Sequence, residues 1–363
     1  MRKICLVYGG DSLENEISIL TALKVKDELE KYSYHYEMVY MGHNGEFYTG
    51  KGLLNKNNYH NKTNFRLGMF YRKDNKNYFK YGFKKFDFDI VLLLSHGLHA
   101  EDGTLGAYFE TLKIPCIYPG LEVTSLLQNK SNLKNLVSLI NIPVVKSLTF
   151  HEREYLDKFD LINEKLHYPL VVKPNYLGSS IGVKKVNNED ELRQALFEVF
   201  KYDSVCLIEE CVTNLKEINI GCLRTKKGLV TSMLERVNNE EKVLSFNDKY
   251  DYYSFNEKHI IPADISSKMA KLITYYTKKV YNFLNIKSVV RFDYLLDQKS
   301  NKVYLNEINA IPGSLAYYLF EKMDVKMIDL IDLLIEQYYI DLNNERKKIS
   351  SYREDFLSSL KEK

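Results

Sequence analysis

The chain has no tryptophan, five scattered cysteines, no long apolar run and almost no charge imbalance, and each scarcity narrows what it can be. Cys5, Cys116, Cys206, Cys211 and Cys222 are odd in number, and most sit in apolar, strand-like surroundings. Reduced core thiols of a cytoplasmic protein are therefore expected, not a disulfide framework. Lys and Arg number 51 against 48 Asp and Glu, a net charge of +3. With no dense basic run outside the C-terminal tail, nothing calls for nucleic acid as a partner. The longest apolar runs, such as Ile90 to Leu94, are far too short to span a bilayer, and Met1-Arg2-Lys3 leads into only a handful of apolar residues. Neither a membrane segment nor a signal peptide is expected. The lack of tryptophan beside abundant Tyr, Asn, Lys and Ile reads as compositional bias, without functional content.

Missing motifs exclude further classes. There is no G-x-x-x-x-G-K-[ST] loop and no G-x-G-x-x-G after a strand, which removes the commonest phosphate-loop and dinucleotide readings. H-E-x-x-H, paired C-x-x-C and G-x-S-x-G are also absent, so the usual metalloprotease, zinc-ribbon and hydrolase signatures are gone.

What is present suits two or three packed domains, since the chain has 363 residues and is 45% hydrophobic. Ile4 to Tyr8 reads as a strand ending at Gly9-Gly10, with a helix following through Ile17, Leu20, Leu23 and Leu29. Asp89 to Leu94 is a second buried strand, ending at Ser95-His96-Gly97 and leading through a polar loop to another helix. Such alternation builds a parallel sheet with ligands at the C-terminal strand ends. Residues 42–85 read as short hairpins or an irregular insertion. One helix is expected from about Leu121, carrying Leu126, Leu127, Leu133, Leu136 and Ile140. A second domain then holds the strand Leu170 to Val172, the loop 178–182, a helix from Asp190 to Phe200 and the strand Val205 to Ile208. A third opens near Glu217, with a long helix from Ser266 to Leu284. Residues 343–363 alternate charges and read as a solvated, partly helical tail.

Two stretches suggest chemistry. Arg291-Phe292-Asp293 and Glu307-Ile308-Asn309, separated by an apparent strand turn over 302–306, bring two carboxylates and a carboxamide together. An all-oxygen set of this size suits Mg²⁺, which takes the rest of its shell from water and substrate phosphates. Arg291 falls on the strand face of Asp293 and could meet charge developing beside the metal. Alone, the stretch would equally serve as a polar pair of edge strands. Lys173-Pro174, at a strand end, precedes Gly178-Ser179-Ser180-Ile181-Gly182, where backbone N–H groups could approach an anion; an ordinary hairpin with a surface lysine would look the same. Lys130 reads as a helical lysine. Glu209-Glu210-Cys211-Val212 follows a strand at a segment junction, where backbone groups could face a purine edge or the acidic pair could face solvent.

Taken in order, these residues resemble the ATP-grasp superfamily and, within it, the D-alanine–D-alanine ligases, over roughly residues 1 to 335. The resemblance rests on Gly9-Gly10-Asp11-Ser12-Leu13-Glu14, on His96-Gly97-Leu98-His99-Ala100-Glu101-Asp102-Gly103, on Lys130, on Lys173-Pro174 with 178–182, on Lys249-Tyr250, on the metal stretch and on Pro312-Gly313. It implies an α/β, three-domain ATP-grasp architecture, with an N-terminal parallel-sheet domain (1–120) and two α+β domains clamping ATP (121–212 and 213–342), then a charged helical tail. It implies ligation of two D-alanines through an acylphosphate, for peptidoglycan precursors, in a cytoplasmic homodimer. ATP and two Mg²⁺ ions, with Mn²⁺ as a substitute, would be the cofactors.

By the same resemblance Asp293, Glu307 and Asn309 would hold metal, and Lys130, Lys173 and Lys249 would contact phosphates beside Ser180. Glu209, Glu210, Val212 and Glu217 would form the adenosine pocket. Arg291 and the Gly313 N–H would form the oxyanion site, Glu14 would hold the first ammonium, and Ser179 and Tyr250 would bond to Glu14. His96, Ser314 and Leu315 would line the amino-acid sites. Departures are Ala100 in place of a glycine, Cys116 to Gly120 in place of a Thr-Gly-Ser run, a hinge one residue longer before Glu217, and Tyr318 where the family places a serine for the second substrate's carboxylate. Tyr250 favours an amine acceptor. A D-serine or D-lactate acceptor is the alternative, and a catalytically silent ATP-binding module is opposed by Arg291, Asp293, Glu307 and Asn309.

Overall fold

The computed structural model describes residues 2–155, 159–237 and 259–348. Lys249, Tyr250 and residues 349–363 of the tail lie outside them.

The alternating run Ile4-Cys5-Leu6-Val7-Tyr8 sends successive side chains to opposite faces, and all five are buried. Such a strand must be covered on both sides. It forms β1 (Ile4–Gly9), parallel to β2 (Tyr36–Met41) on one flank and to β7 (Ile90–Leu93) on the other, with β8 (Cys116–Ile117) beyond β7. Ile4, Leu6 and Tyr8 pack toward α1 (Asn15–Lys31) and the C-terminal helix Met327–Glu345, whose Leu330, Ile331 and Leu334 share their cluster. Cys5 and Val7 face the opposite layer. Each such burial contributes roughly 1.5–3 kcal/mol. Residues 42–85 do form short hairpins, and these are not a separate insertion. They extend the same sheet as an antiparallel meander of β3 (Phe47–Thr49), β4 (Arg66–Lys73), β5 (Lys76–Tyr81) and β6 (Lys84–Phe88), giving eight strands.

After α2 (Thr104–Thr111), the helix expected from Leu121 is two helices. α3 (Leu121–Gln128) stops where Asn129 turns extended, at φ −86° and ψ 92°, and α4 (Lys130–Ser138) starts afresh. The Asn129 side chain accepts from the Asn132 N–H at 3.0 Å, capping the new helix. Lys130 is therefore the first residue of a helix, not an interior one.

A four-stranded antiparallel sheet follows, in the order β11 (Lys184–Val186), β10 (Leu170–Pro174), β12 (Val205–Glu210), β9 (Ser147–His151). A five-stranded antiparallel sheet completes the chain, in the order β15 (His259–Ile260), β14 (Gly228–Val237), β13 (Leu215–Thr225), β16 (Val290–Asp297), β17 (Lys302–Asn309). Val303 to Leu305, which also read as a strand from sequence, belong with the rest of 302–306 to β17 itself. All five cysteines are free, and four of them are buried. No helix of the described residues is long and apolar enough to cross a membrane.

Candidate active site

The pairing of β16 with β17 sets Asp293 opposite Glu307 and Arg291 opposite Asn309. Directly opposed residues share a sheet face with Cβ atoms about 4.5–5.5 Å apart, so the four groups converge. The register then slips between Asp293 and Tyr294, which pairs with Leu305 and leaves Asn306 as the extra residue of a bulge. A bulge re-aims its side chain, and here the Asn306 Oδ1 accepts a hydrogen bond from Lys173 Nζ at 3.1 Å. The nearly inaccessible Asp293 carboxylate is gripped by Arg291 through both oxygens, at 2.7 and 2.8 Å, and accepts from the Asn309 amide at 2.9 Å. Two facing carboxylates and an amide that can turn its oxygen inward fit a hard cation. Among the described residues no cluster of three or more His, Cys, Asp and Glu could hold a metal, so Asn309 and substrate oxygens would complete the shell.

The two lysines expected at phosphate meet this cluster from the start of α4 and from β10. Lys130 is buried, donates to the Leu177 carbonyl at 2.6 Å and stands 4.0 Å from Glu307. Burial pulls its ammonium below the ordinary lysine value. Lys173 ends β10 and forms an ion pair with Glu209 at 2.5 Å. Glu209 is buried, not solvent-facing, because Lys134 reaches it from the other side at 2.6 Å. Burial alone would raise this carboxyl; the two lysines more than reverse it and hold it at about 2. Its neighbour Glu210 is partly exposed and takes His167 and Lys146 at 3.0 and 3.8 Å. Val212 and Glu217 follow at the junction with β13, both partly buried.

The third group lies at the C-terminal ends of β1 and β7. Glu14 is buried just before α1, and the Ser179 hydroxyl donates to it, tying the loop after β10 to the first sheet. Gly97, at φ +75°, packs so closely on Ser12 and Glu14 that any side chain there would displace them. Glu101 accepts the Gly97 N–H at 3.1 Å, and burial, followed by the nearby Glu14 charge, pushes its carboxyl up to about 8. His96 is buried, with Nε2 3.2 Å from the Thr21 hydroxyl, and burial lowers it to about 4, so its ring is neutral near pH 7. Thr21 also receives the Ser314 N–H at 3.4 Å.

Backbone strain marks two of the expected binding segments. Ser179 and Ser180 sit at φ +52° and +59°, and Ser314, Leu315 and Ala316 at +49°, +59° and +52°. Left-handed backbone costs such residues about 1–2 kcal/mol each, and it persists where surrounding structure holds it, often at functional sites. Gly313 opens the second of these turns. Tyr318, just beyond, donates from its hydroxyl to the fully buried Glu235 at 3.1 Å, and Glu235 also takes His259 at 2.5 Å. Lys134, Thr21 and Glu235 were not singled out from sequence, and Glu101 and Asn306 entered only as members of longer stretches; a lysine four residues after Lys130, hence on its helix face, was the one readable signal.

Family models for the D-ala D-ala ligase N-terminus and C-terminus match residues 3–119 and 136–336. The chain belongs to the D-alanine–D-alanine ligase family. Its architecture is accordingly ATP-grasp, and membership implies ATP, small-molecule substrates and a divalent cation. A D-alanine–D-alanine ligase of Thermosipho africanus is 32% identical over 358 residues, covering 97% of both chains. The ligase structure from Helicobacter pylori is 29% identical, with a TM-score of 0.75, covering 92% of this chain and 98% of that one. VanG, described as a D-Ala:D-Ser ligase of Enterococcus faecalis, is 25% identical with a TM-score of 0.79, covering 93% and 99%.

Proposed function

We propose that this chain joins two D-alanines into D-alanyl-D-alanine, forming ADP and phosphate, for peptidoglycan precursor synthesis in the cytoplasm. The observation that carries the reading is the convergence of the Asp293–Glu307–Asn309 set with Arg291, the buried Lys130 and Lys173, and Glu14 tied to Ser179. One D-alanine carboxylate takes the γ-phosphoryl group of ATP; the amine of the second then attacks the acyl carbon and phosphate leaves. Such chemistry asks mainly for positioning and charge neutralisation. Glu14 holds the first ammonium, and Ser179 fixes Glu14. Lys130, Lys173 and the Ser180 loop face phosphate oxygens, and Lys249, outside the described residues, is assigned to the same phosphates on the family resemblance alone. Asp293, Glu307 and Asn309 hold the divalent cation, taken as two Mg²⁺ ions with Mn²⁺ as a substitute, which screens the charge of the phosphates. Arg291 and the Gly313 N–H point at the oxyanion of the tetrahedral intermediate. Glu210, Val212 and Glu217 border the adenosine, while Glu209 acts from beneath it through Lys173. Neutral His96 braces Thr21 behind Ser314 and Leu315. The functional divisions are 1–120, 121–212 and 213–342, and the working form is a homodimer.

One observation favours a second reading. Where the family places a serine for the acceptor carboxylate, Tyr318 has its hydroxyl committed to Glu235, which points to a different acceptor such as D-serine or D-lactate. ADP release by the purified protein with Mg·ATP, across D-amino and D-hydroxy acids, separates the two. D-alanine alone should stimulate it and yield the dipeptide. Faster turnover with D-alanine plus D-serine or D-lactate hands the case to the second reading, and silence across the panel despite ATP binding defeats both.

A further inference from the structure

Lys134 has no place in the reaction just described, yet it is one of the most deeply buried charges in the molecule. It is 2% exposed, one helical turn after Lys130 on α4, and therefore on the same helix face. Burying an ammonium is costly unless an opposite charge meets it. The charge it meets is Glu209, whose carboxylate lies 2.6 Å from Lys134 and 2.5 Å from Lys173. The Lys134 contact is an ion pair, and its charge is the larger part of what it supplies to Glu209.

The arrangement has a simple electrostatic consequence. Val171 pairs with Glu209 across β10 and β12, which puts Lys173, two residues on from Val171, diagonal to Glu209 on the same face. A lone Glu209–Lys173 pair would be neutral, and the lysine's charge would be consumed inside the protein. With Lys134 as a third member, two cations share one anion, and the group carries one net positive charge. Asn306, thrown out by the bulge in β17, takes one Lys173 proton at 3.1 Å and fixes the direction of the ammonium.

We propose that Lys134 is a positioning residue: by satisfying Glu209 from behind, it keeps the charge of Lys173 available to the phosphates of the nucleotide. The inference rests on the ATP-dependent reading above. It is tested by the affinity of the full-length protein for a non-hydrolysable Mg·ATP analogue, measured calorimetrically beside the thermal midpoint of each variant. Lys134→Met leaves Glu209 to neutralise Lys173, and affinity should fall tenfold or more. Lys134→Arg should restore it to within about threefold. The discriminating variant is Lys134→Met combined with Glu209→Gln, which returns the net charge to Lys173 and should recover most of the affinity that Lys134→Met alone loses. Failure of the unmodified protein to bind the analogue would overturn the ATP reading itself. Binding by unmodified protein, with a folded Lys134→Met variant equally tight, would overturn only the present proposal. So would a double variant as stable as the parent yet as weak as Lys134→Met.

Discussion

Glu101 and Glu209 are the same residue type, and their surroundings drive them in opposite directions. Glu101 lies under Gly97 with Glu14 as its charged neighbour, and its carboxyl rises to about 8. Glu209 pays the same desolvation but has Lys134 and Lys173 against it, and stays ionised down to about 2. The surroundings of Gly97 thus concentrate the carboxylates Glu14 and Glu101, which suits the proposed ammonium, while the surroundings of Glu209 concentrate buried lysines, which suits the proposed polyanion. The lesson is that charge state here belongs to the neighbourhood and not to the residue.

Asp293 belongs with Glu209, as a carboxylate held by a cation, and removing it should have the largest effect. Asp293→Ala frees Arg291 and empties the metal set, so kcat should fall by roughly 10³-fold or more while circular dichroism and the thermal midpoint show a folded protein. A folded variant with near-normal turnover would refute the metal assignment. Next comes a direct contrast in stability. Glu209→Leu leaves two lysines buried without their counter-charge and should destabilise by about 3–5 kcal/mol in urea unfolding. Glu101→Gln mimics a carboxyl that is already protonated at neutral pH and should cost under about 1 kcal/mol. Equal losses from the two would break the comparison.

The same pair separates by pH in the ligand-free protein. Because the folded value of Glu101 is raised, its contribution to stability is full below the ordinary carboxylate range and is lost as pH rises toward about 8. Glu209 is depressed, so its contribution is present above the ordinary carboxylate range and is lost as pH falls toward about 2. His96 adds a third limb: lowered to about 4 by burial, it favours the folded state above its ordinary value of 6.5, and that gain disappears between 6.5 and 4. Unfolding curves from pH 3 to 9 should therefore lose the decline between 4.5 and about 8 in Glu101→Gln, and lose the opposing fall in stability between 6.5 and 4 in His96→Asn. Unchanged profiles would show that the two ends do not differ in charge as described.

Much of this was legible before the structure, and unevenly so. Glu14, Lys173 and the Arg291–Asn309 groups sit at strand ends or on strands with period-two patterning, where local sequence announces backbone direction. Lys134 and Asn306 were missed because their meaning lies in partners distant along the chain. A bulge is a property of two strands in register, and nothing in Asn306-Glu307 alone reports it. Ser314, Leu315 and Ala316 carry left-handed backbone that their own propensities oppose, so only tertiary contacts can specify it. The break at Asn129 had a readable sign, an asparagine followed by a fresh helical turn. It was overridden by a leucine stripe that continues across the gap.

That break sharpens the comparison at its smallest scale. Asn129 does more than cap α4, since its Oδ1 also accepts from the Ser131 hydroxyl and the Asn175 amide, at 2.9 and 3.0 Å. Asn175 in turn takes the Lys130 N–H on its carbonyl and the Ser131 N–H on its side chain, at 3.3 and 2.9 Å. The start of α4, with Lys130, is thereby sewn to the residue that follows β10, the strand that carries Lys173. Glu14 and Glu101 are coupled by charge and through Gly97, whose N–H Glu101 accepts. Asn129→Ala should cost about 1 kcal/mol of stability as a lost cap, and should raise KM for ATP severalfold while leaving KM for D-alanine unchanged. Equal changes in both constants would mean that the two ends of the cleft are set by one scaffold, and that the difference between Glu101 and Glu209 is local to their side chains.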